Sequence, residues 1–295
     1  MISDSLTAAS SGTWQLGSLS VNRIGYGAMR LPGPVAFDPH SNRDPDQAVA
    51  VVRRAVELGV NHIDTAAFYF SSLRSANELL NRALRPWPDD VVIATKVGPA
   101  RDASGEWLPW SRPEQLRGQV EENLRQLGRE HLDLVNLRTF GRGPIGDHVA
   151  ALAELRQAGL LREIGVSNVG PELLAEARAV TDVVAVQNRF SLDSRLPGTD
   201  DVLATCREES IAFVPFFAIA GDGREQGATG TDPQAVVEVA RAHDATPAQV
   251  RLAWTLHQGP HVLAIPGTGR VDHLEQNIAA GELRLTPEEL ASLSA

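Results

Sequence analysis

Four residues in the first half of the chain carry chemistry that a plain core does not need: Asp64, Tyr69, Lys96 and Arg138. Each stands at or just past the end of a short apolar run. These runs read Asn61-His62-Ile63-Asp64-Thr65-Ala66 followed by Tyr69, then Ala94-Thr95-Lys96, then Leu134-Val135-Asn136-Leu137-Arg138. A phenol has a reference pKa near ~10 and is a poor acid at neutral pH. An ammonium held beside it by a carboxylate stabilises phenolate, and a tyrosine so placed can give a proton to an oxygen that is gaining negative charge. No nucleophile with an adjacent base is visible, so a cofactor must generate that charge. Blander readings compete. Asp64 and Lys96 also fit a buried structural ion pair, Tyr69 fits packing, and His62 fits a core residue on the inward face it shares with Asp64. Arg138 shares a face with Asn136, and an unpaired arginine on an inner face would be costly. The eight histidines show no metal-site spacing.

The elements that must position these residues alternate along the chain. β-branched or apolar runs begin near Ile24, Val60, Val91, Leu132, Arg162, Val183, Ile211 and Val262, giving eight candidate strands. Helical spacing fills the intervals. Ala48, Val52, Val56 and Gly59 form one stripe, and Leu116, Val120, Leu124 and Leu127 another. Ser111-x-x-Glu114, Thr246-Pro247-Ala248-Gln249 and Thr286-Pro287-Glu288-Glu289 fit helix-starting boxes, and glycines 59, 128 and 159 fit helix stops. Alternation implies parallel pairing, and eight units without a linker predict one α/β domain over 1–295, a (β/α)8 TIM barrel. Thr13 to Val21 predicts a β-hairpin ahead of the first barrel strand. The long unit between Ile211 and Val262 predicts two helices, 232–242 and 246–257. In such barrels the site forms at the carboxyl ends of the strands.

Composition removes other classes. The chain has 27 Lys+Arg against 37 Asp+Glu, a net charge of −10 with no basic stripe, which argues against nucleic-acid and anionic-membrane binding. Its 43% apolar content fits a packed core rather than disorder. The longest apolar run, Ile211 to Gly221, is too short to span a bilayer and is broken by Pro215. Met1 to Gly12 lacks the basic and apolar parts of a signal peptide, and Cys206 alone allows no internal disulfide. These features predict a cytoplasmic protein.

Seven motifs, in order and each at a strand end, make the chain resemble the aldo-keto reductases over nearly its whole length. They are Gly25-Tyr26-Gly27-Ala28-Met29-Arg30-Leu31, Asp64-Thr65-Ala66 with Tyr69, Ala94-Thr95-Lys96, Gly165-Val166-Ser167-Asn168, Val186-Gln187-Asn188, Pro215-Phe216-Phe217, and Ile265-Pro266-Gly267-Thr268 with Asn277. The resemblance implies a barrel that binds NADPH without a Rossmann motif and transfers hydride to an aldehyde or ketone. It puts Tyr69 at the general acid, Lys96 at the cation beside it and Asp64 at the lysine's partner. Gly27, Ala28, Met29 and Asp64 fall along the cofactor. Ser167, Asn168 and Gln187 match the groups that bond the nicotinamide carboxamide, and Phe216 an aromatic that stacks on its ring. Pro266, Gly267, Thr268, Gly269 and Arg270, with Gln276 and Asn277, correspond to the adenosine-phosphate loop and its helix.

Two departures stand out. Histidine usually follows the fourth strand, and here Leu137-Arg138 stands there; this pattern looks like a bacterial branch similar to pyridoxal reductases, so pyridoxal is a candidate substrate. A lysine and an arginine common in the phosphate loop are replaced by Gly267 and His273, leaving Arg270 as the partner for a 2′-phosphate and NADH less favoured. A competing expectation is an NADP(H)-binding regulatory subunit with little turnover.

Overall fold

The computed structural model describes residues 6–140, 143–195, 197–219 and 232–294; the stretch 221–231, which the sequence marks as an irregular loop expected to line a substrate pocket, lies outside them. Strands β1 (Thr13–Leu16) and β2 (Leu19–Asn22) form the expected antiparallel hairpin, with Leu16 opposite Leu19. Only two residues remain for the turn, and Gly17 supplies the positive φ of +59° that so tight a connection needs.

Among the described residues, seven parallel strands follow in sequence order: β3 (Tyr26–Gly27), β4 (His62–Asp64), β5 (Val92–Val97), β6 (Leu132–Arg138), β7 (Leu161–Ser167), β8 (Ala185–Gln187) and β9 (Ala212–Phe213). The eighth position, from Val262, is held by two single parallel bridges, Phe213 to Val262 and Ile24 to Ala264. Leu263 N–H donates to the Phe213 carbonyl at 2.9 Å, and Gly25 N–H to the Ala264 carbonyl at 2.8 Å, so the sheet closes on itself. Pro266, which has no amide hydrogen, stands where a longer ladder would continue. The (β/α)8 barrel expected from the alternation is the fold.

Helices α1 (Pro45–Glu57), α2 (Ala76–Leu84), α3 (Leu116–Leu127), α4 (Gly146–Gln157), α5 (Pro171–Val180) and α6 (Thr199–Glu208) each follow one of the strands β3 to β8. The pair α7 (Gln234–Ala242) and α8 (Pro247–His257) follows β9, and α9 (Val271–Ala279) and α10 (Pro287–Ser294) end the described chain. The boxes at Thr246 and Thr286 form as expected: Thr246 N–H donates to Gln249 Oε1 at 2.9 Å, and Thr286 N–H to Glu289 Oε2 at 2.8 Å. The box at Ser111 does not form. Glu114 turns instead to Arg112, Ser111 Oγ accepts from Gln119, and Gln115 Oε1 takes the Arg112 amide at 2.9 Å over a 3-10 turn. Gly128 then ends α3 in the left-handed region at φ +63°.

The inward faces of the strands change character along their length. Successive inward residues are Val92, Ala94, Lys96 on β5, and Leu134, Asn136, Arg138 on β6. Ala185 and Gln187 continue the pattern on β8. The apolar members pack with Leu16 and Val21 of the hairpin, which plugs the amino end of the barrel, while the polar members gather at the carboxyl end. Glu163, inward at the foot of β7, fixes the plug by accepting from the Ser18 amide at 2.8 Å. Outward residues such as Ile63, Val135 and Val166 belong to the larger core beneath the helices.

Leu16 is fully buried in the plug, at the end of the barrel away from the polar groups. Leu16→Ala should lower the unfolding free energy by about 2–5 kcal/mol, the usual cost of such a truncation. Urea midpoints check this, and kcat should change little.

Candidate active site

At the carboxyl end a cavity of about 420 Å³ is lined by Asp64, Tyr69, Lys96 and Arg138 together with Ser167, Gln187, Phe216 and Gly267. The register sets the first contact. Asp64 of β4 lies opposite Ala94, so Lys96, two residues on, reaches back over it. Lys96 Nζ donates at 2.6 and 2.7 Å to the two Asp64 carboxylate oxygens and at 3.1 Å to the Thr65 carbonyl, which occupies all three of its hydrogens. Gln187 Nε2, from the far side of the barrel, donates to Asp64 Oδ2 at 2.7 Å. Both charged side chains are about 95% buried.

Tyr69 follows β4 on a turn closed by its amide bond to the Ala66 carbonyl at 3.0 Å. Its ring lies between Phe37 and Phe68, with centroid separations of 5.9 and 5.1 Å. The Lys96 ammonium stands 5.0 Å from the ring centroid. Its hydroxyl takes no hydrogen bond from another described residue and is open to a ligand in the cavity. Arg138 is half-buried, its guanidinium 5.7 Å over the Phe68 ring, its Nε without a partner and no carboxylate paired with it among the described residues. Asn136 Oδ1 also lacks a partner, and the side chain fills the space that Gly165 leaves on β7; a Cβ there would overlap it.

His62 sits below Asp64, almost wholly buried, with Nδ1 unpartnered. Burial drives its pKa down to about 4, against an opposing pull from Asp64, so the imidazole is neutral throughout the ordinary range.

The remaining wall offers hydrogen-bonding capacity that the protein does not use. Ser167 Oγ and Gln187 Oε1 are buried without partners. The two atoms suit an amide group, since a hydroxyl and a carboxamide oxygen can together serve a carboxamide's N–H and C=O. Asn168, expected beside them, is turned away: its Nδ2 donates to the Thr139 carbonyl at 3.2 Å. Phe216 and Phe217 meet edge to face at 5.1 Å, and both line the cavity. Gly27 and Met29 line it as well, whereas Ala28 is buried and gives its amide to the Asp64 carbonyl at 2.8 Å.

Pro266 and Gly267 continue the wall into the expected phosphate loop. Gly27 and Gly267 pass backbone to backbone; a Cβ on Gly267 would stand 2.5 Å from the Gly27 carbonyl oxygen. The Thr268 carbonyl accepts from Tyr26 Oη at 2.6 Å, and Thr268 Oγ1 from the Arg270 amide at 3.1 Å. The first-turn amides of α9 carry no side-chain cap. Arg270 is exposed and paired through two nitrogens with Asp272, Nε at 3.0 Å. Gln276 is exposed and Asn277 buried on α9, neither lining the cavity. Sequence reasoning overlooked Phe37, which lines the cavity from the loop 31–45, because nothing in an irregular stretch shows which way it folds.

The aldo/keto reductase family model matches residues 23–295, and the chain belongs to that family. It is accordingly an oxidoreductase of small carbonyl compounds, in a family that uses NADP(H). It is 44% identical over 291 residues to pyridoxine 4-dehydrogenase of Escherichia coli, covering 96% of this chain and 98% of that protein. An aldo-keto reductase from Klebsiella pneumoniae, solved in complex with NADPH, superposes with a TM-score of 0.76 at 30% identity, over 93% of this chain and 90% of that one. A thermostable aldo-keto reductase bound to the inhibitor epalrestat reaches a TM-score of 0.80 at 28% identity, over 96% and 98%. Among the described residues no helix is long and apolar enough to cross a membrane.

The buried His62 generates a stability prediction. Its folded pKa is depressed below the ordinary histidine value of 6.5, so between about pH 6.5 and 4 the unfolded chain binds a proton that the native imidazole refuses. Stability conferred by the neutral form is whole above that window and is lost as pH falls through it. Urea melts of wild type and His62→Gln across the window should show the wild type losing stability more steeply on acidification.

Proposed function

We propose that this chain, acting as one barrel domain in the cytoplasm, reduces an aldehyde or ketone with NADPH, and that Tyr69 is its general acid. The observation that carries this reading is a single cavity. It has an unbonded phenol, a buried Lys96–Asp64 pair and Arg138 on one side, and the unpaired Ser167 and Gln187 on the other. Those two polar atoms fit the nicotinamide carboxamide, Phe216 fits the face of its ring, and Gly267 to Gly269 with the start of α9 fit the adenosine end, toward which Gln276 and Asn277 lie on the same helix. NADPH held there supplies the hydride.

The remaining steps belong to the chain's own groups. Tyr69 Oη donates its proton to the substrate's carbonyl oxygen as negative charge gathers there. Lys96, fully spent on Asp64 and Thr65, keeps positive charge beside the phenol without competing for the substrate. Arg138 lines the same cavity, so its guanidinium can donate to that oxygen, and it adds no proton of its own because guanidinium stays charged. A fork of that kind also holds a second oxygen next to the carbonyl. Pyridoxal, whose aldehyde neighbours a phenolic oxygen, has that shape, and the E. coli relative is named for the corresponding alcohol.

Tyr69→Phe should leave NADPH affinity within about twofold while lowering kcat at least about 10²-fold, the low end for general acid catalysis. Stopped-flow turnover and fluorescence titration separate the two, and retained turnover would remove Tyr69 from the role.

A second expectation concerns pH. With His62 neutral and Arg138 unable to titrate, reduction of an aldehyde that has no titrating group should be flat in kcat/KM between about pH 5.5 and 7.5. Arg138→His should write an inflection into that window. A wild-type inflection that survives Arg138→Met would place the titrating group elsewhere.

A further inference from the structure

We propose that Arg43, in the loop ahead of α1, is the cation that binds the cofactor's 2′-phosphate and sets the preference for NADPH, while Arg270 contributes little. The inference rests on the cofactor reading given above and deepens it.

The two arginines near the phosphate loop differ in what their charges already do. Arg270 is exposed, and its guanidinium is spent on Asp272 through two nitrogens. A phosphate there would have to displace a carboxylate from a solvated pair, for a small gain. Arg43 has no acidic partner among the described residues. It is half-buried, where its field is less screened by water, and its Nε is buried without a hydrogen bond. Its other nitrogens make only long contacts, Nη1 to the Gly269 carbonyl at 3.4 Å and Nη2 to the Arg30 carbonyl at 3.3 Å. Donors so weakly used are available to an anionic oxygen, which forms shorter and stronger bonds than a peptide carbonyl.

The surroundings hold Arg43 at that place. Its guanidinium lies against the Cα of Gly269, and any side chain at 269 would overlap it. The loop that carries it is braced on itself, with Arg43 N–H donating to the Pro32 carbonyl at 2.8 Å and Ser41 Oγ accepting from the Val35 amide at 2.9 Å. On the far side, Tyr26 Oη ties down the Thr268 carbonyl. Arg43 therefore bridges the loop after β3 and the loop before α9, the two stretches that meet at the edge of the cavity. The loss of basic residues at 267 and 273 is thus offset by a cation arriving from a different loop.

Binding of NADPH, NADH, 2′,5′-ADP and 5′-AMP, measured by calorimetry on wild type, Arg43→Ala, Arg43→Lys, Gly269→Ala and Arg270→Ala, tests this without turnover. Arg43→Ala should weaken NADPH and 2′,5′-ADP by about 10- to 100-fold, as expected for loss of a charge-assisted bond, and shift NADH and 5′-AMP by less than about threefold. Gly269→Ala, which drives the guanidinium from its seat, should lose the same discrimination, and Arg43→Lys should keep part of it. Arg270→Ala should stay within about threefold for all four probes, since an exposed pair contributes little. Equal losses for NADPH and NADH in Arg43→Ala would show that Arg43 only ties the loops together, and loss of discrimination in Arg270→Ala would return the role to that residue; either overturns the proposal while leaving the reductase reading intact. A wild type that binds neither dinucleotide would overturn both.

Discussion

The bond between Lys96 and Asp64 is the constraint on which the rest of the site depends. Taking both charges out of water is expensive, and their attraction offsets that cost only when the geometry is good and the remaining valences are filled. Here they are: the ammonium has three acceptors, and the carboxylate receives both the ammonium and Gln187 Nε2. The arrangement needs β4 and β5 in their observed register and β8 across the barrel from them. Residues separated by 123 positions in sequence thereby meet on one carboxylate. Because the pair is internally neutral, Arg138 faces the cavity as a cation with no carboxylate of its own among the described residues.

The barrel divides its labour by depth along the same inward faces. Small and apolar residues near the strand starts accept the hairpin plug, and polar residues two or four positions later form the site. A period of two along each strand makes this division possible without changing the outer faces, which stay apolar under the helices. The buried, unpartnered Ser167 Oγ and Gln187 Oε1 are costs that a plain core would not carry, and both residues line the cavity, where a ligand can fill them.

Replacing histidine by arginine at the end of β6 changes what the site can do as well as what it looks like. Histidine is both donor and acceptor and titrates near neutrality, whereas arginine is a donor alone with fixed charge and a flat fork. His62 does not restore the missing titration, because burial keeps it neutral down to about pH 4. On the reading proposed above, proton transfer is left to Tyr69 alone, and Arg138 adds donors for the substrate oxygen.

Most of the fold was legible in the sequence, because strand and helix periods, prolines at helix starts and glycines at stops are local signals. The eight strand starts, the hairpin at Gly17 and the paired helices after β9 all follow from such signals. So did the candidates Asp64, Lys96 and Arg138, since charged residues closing apolar runs stand out before any folding. The start of α3 was misread at Ser111, where several side chains compete for the same amides and three-dimensional contacts choose between them. What only the tertiary structure decided was direction and partnership. It turned Asn168 away from the cavity, spent Arg270 on Asp272 and gave Asp64 a partner from β8. It also laid Arg43 against Gly269. These depend on how irregular loops cross one another at the mouth of a closed barrel, and no periodicity in a chain records such crossings.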